Sequence, residues 1–340
     1  MSKNHPNLVS NLLIIFFFGI SVNALAFGGE PYFQRVAPIS KDCALIYGTR
    51  GLGGEDFFIK QCRRTWKLSS TFNIGLIKEM QFISLTDAWG IVGKGLIRFN
   101  FDFSSGKVRW SEVKPDSSDT EFVSAYFRDA KNGLVCGRNG SIFSTYDGGV
   151  TWQKVEIGSA YELIKIQSAN DGSLIVHWAK PSKGLTRYGY LISVDRGRTW
   201  SERTLPEGET FGAVFVSSAR HGCGIVGRDR LLCTFDGTNW SSLYLEPENR
   251  NSLWFLNSRI GWSVGSSIMR TNNGGRSWKY ALLDPDSTSR AYQGLFLKDV
   301  VFLDSKIGWA WGPTSVYRTF DGGLNWQRVS DKWNKELAAY

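Results

Sequence analysis

The chain is predicted to be all-β, a single seven-bladed β-propeller of four-stranded antiparallel blades, and three observations carry that reading. A turn phrase recurs: Ser144-Thr145-Tyr146-Asp147-Gly148-Gly149-Val150-Thr151-Trp152 returns as Ser193-Val194-Asp195-Arg196-Gly197-Arg198-Thr199-Trp200 and as Thr319-Phe320-Asp321-Gly322-Gly323-Leu324-Asn325-Trp326. The tryptophan that ends it returns at a nearly even spacing. An alternating apolar stretch closed by glycine stands about twenty residues before most copies. A catalytic site is built once, so a phrase used this often belongs to architecture.

The segment 1–26 is set apart as a secretory signal. Lys3 provides a basic start, Leu12 to Val22 is an apolar run, and Ala24-Leu25-Ala26 has the small-x-small form of a cleavage site. The run is well short of the roughly 20 apolar residues of a membrane span. The expectation is export to the periplasm, a thylakoid lumen or the extracellular space, with residues 27–340 forming one propeller domain. Removing the signal takes away only Lys3 among the charges, which brings the net charge from +9 to +8. A basic exported protein meets acidic protein patches, glycans or a membrane surface more readily than nucleic acid, so no nucleic-acid partner is expected.

Two worn copies extend the phrase: Thr271-Asn272-Asn273-Gly274-Gly275-Arg276-Ser277-Trp278, and the shorter Thr234-Phe235-Asp236-Gly237-Thr238-Asn239-Trp240. Trp66 and Trp110 continue the spacing towards the start. From Trp66 through Trp110, Trp152, Trp200, Trp240 and Trp278 to Trp326 the mean interval is about 43 residues, the period of a four-stranded propeller blade. Seven anchors imply seven blades. Blades 1 and 2 are placed by spacing alone.

Within each period comes the glycine-closed stretch: AWGIVG at Ala88, GLVCG at Gly133, GCGIVG at Gly222, GWSVG at Gly261 and GWAWG at Gly308, with CALIYG at Cys43 a looser relative. Alternation closed by glycine is the mark of a strand entering a tight turn. The order in a blade is therefore strand A, this strand B, strand C, the Asp-Gly turn, and strand D opening at the tryptophan. In the turn the Asp carboxylate can accept from backbone N–H groups, the glycine can take positive φ, and Ser or Thr can tie the shoulders. Asp147, Asp195, Asp236, Asn273 and Asp321 are read as structural, and Trp152, Trp200, Trp240, Trp278 and Trp326 as apolar plates between neighbouring sheets.

These residues resemble the Asp-box, or BNR repeat, of form S/T-x-D-x-G-x-T-W. Together with the G-W-x-V-G strand they look most like the Ycf48-like propellers, a family that includes photosystem II assembly factors. The resemblance covers essentially all of residues 27–340. It implies a non-enzymatic binding or assembly scaffold whose client is a membrane protein or complex under assembly. A glycan-directed propeller, lectin-like or a divergent sialidase or glycosidase, is the alternative, and a structural surface or adhesion protein a further one.

The sequence argues for no enzyme. Asp residues recurring once per blade lie far apart around a ring, whereas glycosidase carboxylates flank one bond within about 5–10 Å. Similarity to sialidases would require an Arg-Ile-Pro-like start; Gln34-Arg35-Val36-Ala37-Pro38 has an extra residue, and no three arginines stand out as a triad. His5, His177 and His221 are isolated, so no zinc site is predicted. Nothing asks for a cofactor.

In a propeller the B–C loops lie on one face, opposite the Asp-Gly turns. Arg50, Lys94 and Arg138 stand in the loops of blades 1 to 3, Lys180, Lys183 and Arg187 in that of blade 4, and Arg228 with Arg230 in that of blade 5. The corresponding GSSI and GPTS of blades 6 and 7 are uncharged. The eight cations are read as a partner-binding arc that draws in an anionic client, the alternative being ordinary solvated loops. A monomer is expected. Of the five cysteines, Cys43 with Cys62 and Cys223 with Cys233 lie symmetrically about turn-like segments, either as cross-strand disulfides or as buried thiols. Cys136 is read as an inert core thiol.

Overall fold

The computed structural model describes residues 31–40, 42–50, 56–62, 65–69, 77–116, 120–157, 161–169, 171–182, 185–227, 230–244, 249–283 and 295–330. The secretory-signal reading of residues 1–26 lies outside them. Blade 1 consists of β1 (Pro31–Pro38), β2 (Cys43–Arg50), β3 (Asp56–Cys62) and β4 (Thr65–Ser69). Blade 2 is β5 (Ile77–Phe82), β6 (Asp87–Val92), β7 (Gly95–Asp102) and β8 (Lys107–Val113). Blade 3 is β9 (Phe122–Phe127), β10 (Gly133–Gly137), β11 (Ile142–Thr145) and β12 (Gln153–Lys154). Blade 4 is β13 (Glu162–Ser168), β14 (Leu174–Ser182), β15 (Leu185–Ser193) and β16 (Ser201–Thr204). Blade 5 is β17 (Phe211–Ser218), β18 (His221–Val226), β19 (Arg230–Thr234) and β20 (Trp240–Tyr244). Blade 6 is β21 (Arg250–Phe255), β22 (Gly261–Gly265), β23 (Ile268–Thr271) and β24 (Lys279–Tyr280). A short β25 (Leu282–Leu283) precedes blade 7, which is β26 (Asp299–Phe302), β27 (Gly308–Trp311), β28 (Val316–Thr319) and β29 (Asn325–Arg328).

Each blade is an antiparallel meander in chain order, and blade 7 gains a fifth member because β25 pairs parallel with β29. The propeller of seven four-stranded blades is therefore as expected, including blades 1 and 2, where the turn phrase is lost and only spacing spoke. The core is divided among the seven blade junctions. One apolar cluster fills each, for example Trp89, Phe127 and Val135 between blades 2 and 3, and Trp262, Phe302 and Trp326 between blades 6 and 7. All five residues of β22 (Gly-Trp-Ser-Val-Gly) are buried, with Ser263 its one polar side chain.

Among the described residues the closing junction uses no exchanged strand. β1 pairs with β2 alone, and β26 to β29 pair in order among themselves. Blade 7 instead packs Trp309, Trp311 and Val316 on Phe33, Ile46 and Phe57 of blade 1. The Trp311 indole N–H donates to the Gln34 carbonyl at 3.0 Å, the Phe33 N–H donates to the Pro313 carbonyl at 2.8 Å, and the Lys298 ammonium meets the Tyr32 hydroxyl.

Candidate partner-binding surface

The Asp-Gly turns set one end of the molecule. In blade 3 the Asp147 carboxylate accepts from the Val150 N–H at 3.0 Å, the Thr151 N–H at 2.9 Å and the Thr151 hydroxyl at 2.6 Å. Thr145 donates to Asp147 and accepts from the Gly149 N–H at 2.8 Å. Blades 4 and 7 repeat this with Asp195 and Asp321, blade 5 does so in shortened form with Asp236, and blade 6 substitutes the Asn273 amide. The Thr151 hydroxyl holds the Asp147 carboxyl at about 2, and the Thr199 hydroxyl does the same for Asp195. A carboxyl ionised that far below neutrality has no proton to give as a general acid.

The turns also join blades. Gly148, Gly274 and Gly322 donate their N–H to the Lys131, Arg259 and Lys306 carbonyls of the A–B turns in their own blades. Those A–B turns are themselves closed by Asp129, Asn257 and Asp304, each accepting two N–H groups. The second glycine then rests on strand B of the preceding blade. A Cβ on Gly149 would stand 2.6 Å from Trp89, and one on Gly323 2.2 Å from the Trp262 indole nitrogen. The two repeated phrases, read separately in the sequence, are thus halves of one interblade contact.

The tryptophan plates vary with the turn beneath them. Trp326 is fully buried, and Trp152, Trp200, Trp240 and Trp278 are half-buried. Trp152, Trp200, Trp278 and Trp326 each donate the indole N–H to the carbonyl of the second turn glycine, at 3.0 to 3.2 Å. Trp110, spaced like the others, is 51 % exposed. Blade 2 has no Asp-Gly turn to fold it back: β7 runs into β8 through a turn closed by Asp102, which accepts from the Ser104 and Ser105 hydroxyls at 2.6 Å each.

Cys43 and Cys62 are opposed across β2 and β3 and joined by a disulfide, as are Cys223 and Cys233 across β18 and β19. The second bridge lies under Gly275 of blade 6, where a Cβ would stand 3.2 Å from each sulfur. Cys136 is a buried free thiol that burial pushes well above its ordinary range. The two described histidines sit at junctions, His221 bonding across one directly and His177 beside a glutamine that does. The His221 ring bonds Ser217 through Nδ1 at 2.6 Å and reaches the Gly274 carbonyl of blade 6 through Nε2 at 3.0 Å. His177 is buried beside Gln167, whose amide donates to the Val216 carbonyl of blade 5 at 2.6 Å. Two acids on innermost strands, Glu79 and Asp299, are likewise committed to junctions. Glu79 accepts from the Ser124 hydroxyl and the Ala125 N–H of blade 3, and Asp299 accepts from the Ser252 hydroxyl of blade 6.

The opposite end holds the B–C turns and the linkers that enter each strand A. Lys183 and Arg228 of the cationic arc lie outside the described residues, and Arg50 is described only by its backbone place at the end of β2. Of the rest, Lys94 of blade 2 and Arg138 of blade 3 converge on one carboxylate, Glu121, at 2.5 and 2.7 Å. Glu121 stands just before β9, and the Lys94 ammonium holds its carboxyl below the usual range. Arg187 pairs with Glu207 at 2.9 Å and Arg230 with Glu209, both from the linker into blade 5. Lys180 is exposed and lies over the Tyr161 ring, 5.6 Å from its centroid. The arc is thus interleaved with linker carboxylates. Sequence reasoning missed them because the linkers do not repeat and their glutamates stand away from the turns they meet.

No family model and no curated protein matches the chain. Solved structures do. The fold is similar to that of YCF48 from Cyanidioschyzon merolae, with a TM-score of 0.63 and 18 % identity over 86 % of this chain and 96 % of that one. It is similar too to that of a YCF48 solved bound to D1 peptide, with a TM-score of 0.62 and 13 % identity over 87 % of this chain and 95 % of that one. At these identities the likeness establishes the propeller fold.

Proposed function

We propose that the protein is an exported, non-enzymatic binding propeller that docks a protein client, a membrane protein or complex under assembly, on the end that carries the B–C turns. The observation that carries this reading is the convergence of Lys94 and Arg138, from two blades, on the Glu121 carboxylate. That end is able to hold a carboxylate by charge-assisted bonds from both sides of a junction, which is the chemistry an acidic client segment needs. The YCF48 solved with D1 peptide supports it from another side, since a propeller of the same fold there takes a peptide. The recurring Asp residues, bound up in their own turns, leave the opposite end to structure.

The test is an in vivo cross-linking pull-down comparing wild type with a variant in which Arg50, Lys94, Arg138, Lys183, Arg228 and Arg230 are all changed to Glu. The expected result is loss of one dominant protein partner while the variant melts as wild type does. An unchanged partner profile would remove this end as the docking surface.

A further inference from the structure

The outer edge of blade 2 differs from the other outer edges. β8 has seven residues, where β4 and β20 have five, β16 and β29 four, and β12 and β24 two. Every residue of it is exposed or half-buried, and among the described residues no strand pairs with its outer side. Long open edges are ones that sheets normally shorten or cover. This chain covers one at blade 7, where Leu282 and Leu283 of β25 lie parallel along Asn325 and Trp326, and the Leu282 N–H donates to the Leu324 carbonyl at 2.8 Å.

The register of β7 on β8 sorts the edge into two rows. Val108, Trp110 and Glu112 oppose Phe101, Phe99 and Ile97, whereas Lys107, Arg109 and Ser111 oppose Asp102, Asn100 and Arg98. Opposed residues share a face of the sheet. One face of the edge is therefore an apolar row of Val108 and Trp110, ending in Glu112. The other is a cationic row of Lys107 and Arg109 backed by Arg98, with Asp102 already committed to its own serines.

We propose that β8 is a strand-addition site for an extended segment of a protein partner in which acidic and apolar residues alternate. Side chains of an added strand alternate between faces with period two. Its acidic residues then fall over Lys107 and Arg109, and its apolar residues over Val108 and Trp110. A second copy of β8 is the poorer occupant. Antiparallel pairing about Trp110 puts both copies' Lys107 and Arg109 on one face, with like charges across the seam.

The experiment titrates residues 27–340 with the synthetic peptide Ac-Asp-Val-Asp-Phe-Asp-Val-Asp-NH2 and, in parallel, with its counterpart carrying Lys for Asp. Binding is followed by calorimetry and by amide shifts in β8. The acidic peptide is expected to bind and the lysine peptide to fail. Trp110→Ser and Arg109→Glu, both at exposed positions and both with wild-type melting, each weaken the acidic peptide by roughly tenfold or more. The proposal is overturned by no binding at about 1 mM peptide, by equal binding of the lysine peptide, or by binding that ignores both substitutions. Self-association of the wild type abolished by Trp110→Ser would overturn it in favour of a second copy.

Discussion

Two tryptophans at equivalent places in the repeat should respond very unequally to truncation. Trp326 is fully buried, lies edge-on to Phe302 at 5.7 Å between centroids, and that ring stacks on Trp262 at 3.5 Å. Its indole N–H also ties down the Gly323 carbonyl at 3.2 Å. Trp326→Ala removes a large ring from a packed junction, at about 3–5 kcal/mol on the scale of buried aromatic truncations. With an unfolding entropy of about 2.1 cal/mol/K per residue over roughly 300 residues, that is a fall in Tm of about 5–8 °C. Trp110, half out in solvent on β8, should cost less than about 0.5 kcal/mol, within the range of surface substitutions. Urea unfolding of both variants at pH 7 and thermal melts by circular dichroism measure the contrast. Equal costs for the two variants would refute the claim that the turn beneath the tryptophan decides its burial.

Asp147→Asn should retain most of the turn, since Asn273 already fills that place in blade 6 by accepting the Ser277 N–H at 2.9 Å; Asp147→Ala should lower the melting temperature and leave partner capture unchanged, which a pull-down at a temperature well below both melts would check. Arg196 holds φ at +66° where the other turns have glycine, so Arg196→Gly should stabilise by up to about 1 kcal/mol, read from the urea midpoint. Burial, aided by the Lys165 charge, presses His177 down to about 3. The unfolded chain binds that proton below about 6.5 while the folded one does not. Stability should then be complete above pH 6.5 and fall by roughly 1.4 kcal/mol per pH unit as pH drops towards 3. His177→Gln should flatten the slope between pH 6 and pH 4 by about one proton; an unaltered slope would mean that His177 titrates freely.

Much of the fold was legible because its unit repeats. Asp147, Asp195 and Asp321 announce their turns, and the spacing of Trp66 and Trp110 was enough to place two blades whose turns have decayed. What stayed hidden was whatever joins unlike segments. Gly149 on Trp89 and Gly323 on Trp262 bring together parts of neighbouring repeats, and periodicity within one repeat cannot reveal which part of the next one it meets. The cations of the B–C turns were visible as charges, but Glu121, Glu207 and Glu209 sit in linkers of irregular length, so their pairing with Lys94, Arg138, Arg187 and Arg230 depends on the path of the chain in space. Trp110 kept the spacing and lost the environment. Spacing records the period of a blade, whereas exposure records the turn beneath it.

The seam between blades 7 and 1 has a further consequence for how the molecule is made. Its bonds span long separations, Trp311 to Gln34 being 277 residues apart, and among the described residues no strand crosses it. Every blade is complete once its own stretch of chain has emerged, so the ring can grow one sheet at a time in the order of synthesis. Only the last contact must wait for both ends. A circle closed by packing and a few hydrogen bonds, with no shared strand among the described residues, has no privileged starting point. Joining residue 330 to residue 31 and reopening the chain in the linker between blades 3 and 4 should move the seam while leaving every strand with its partners. The same ring would then be reached along a different route, with the Trp311 junction formed midway and a formerly local one formed last.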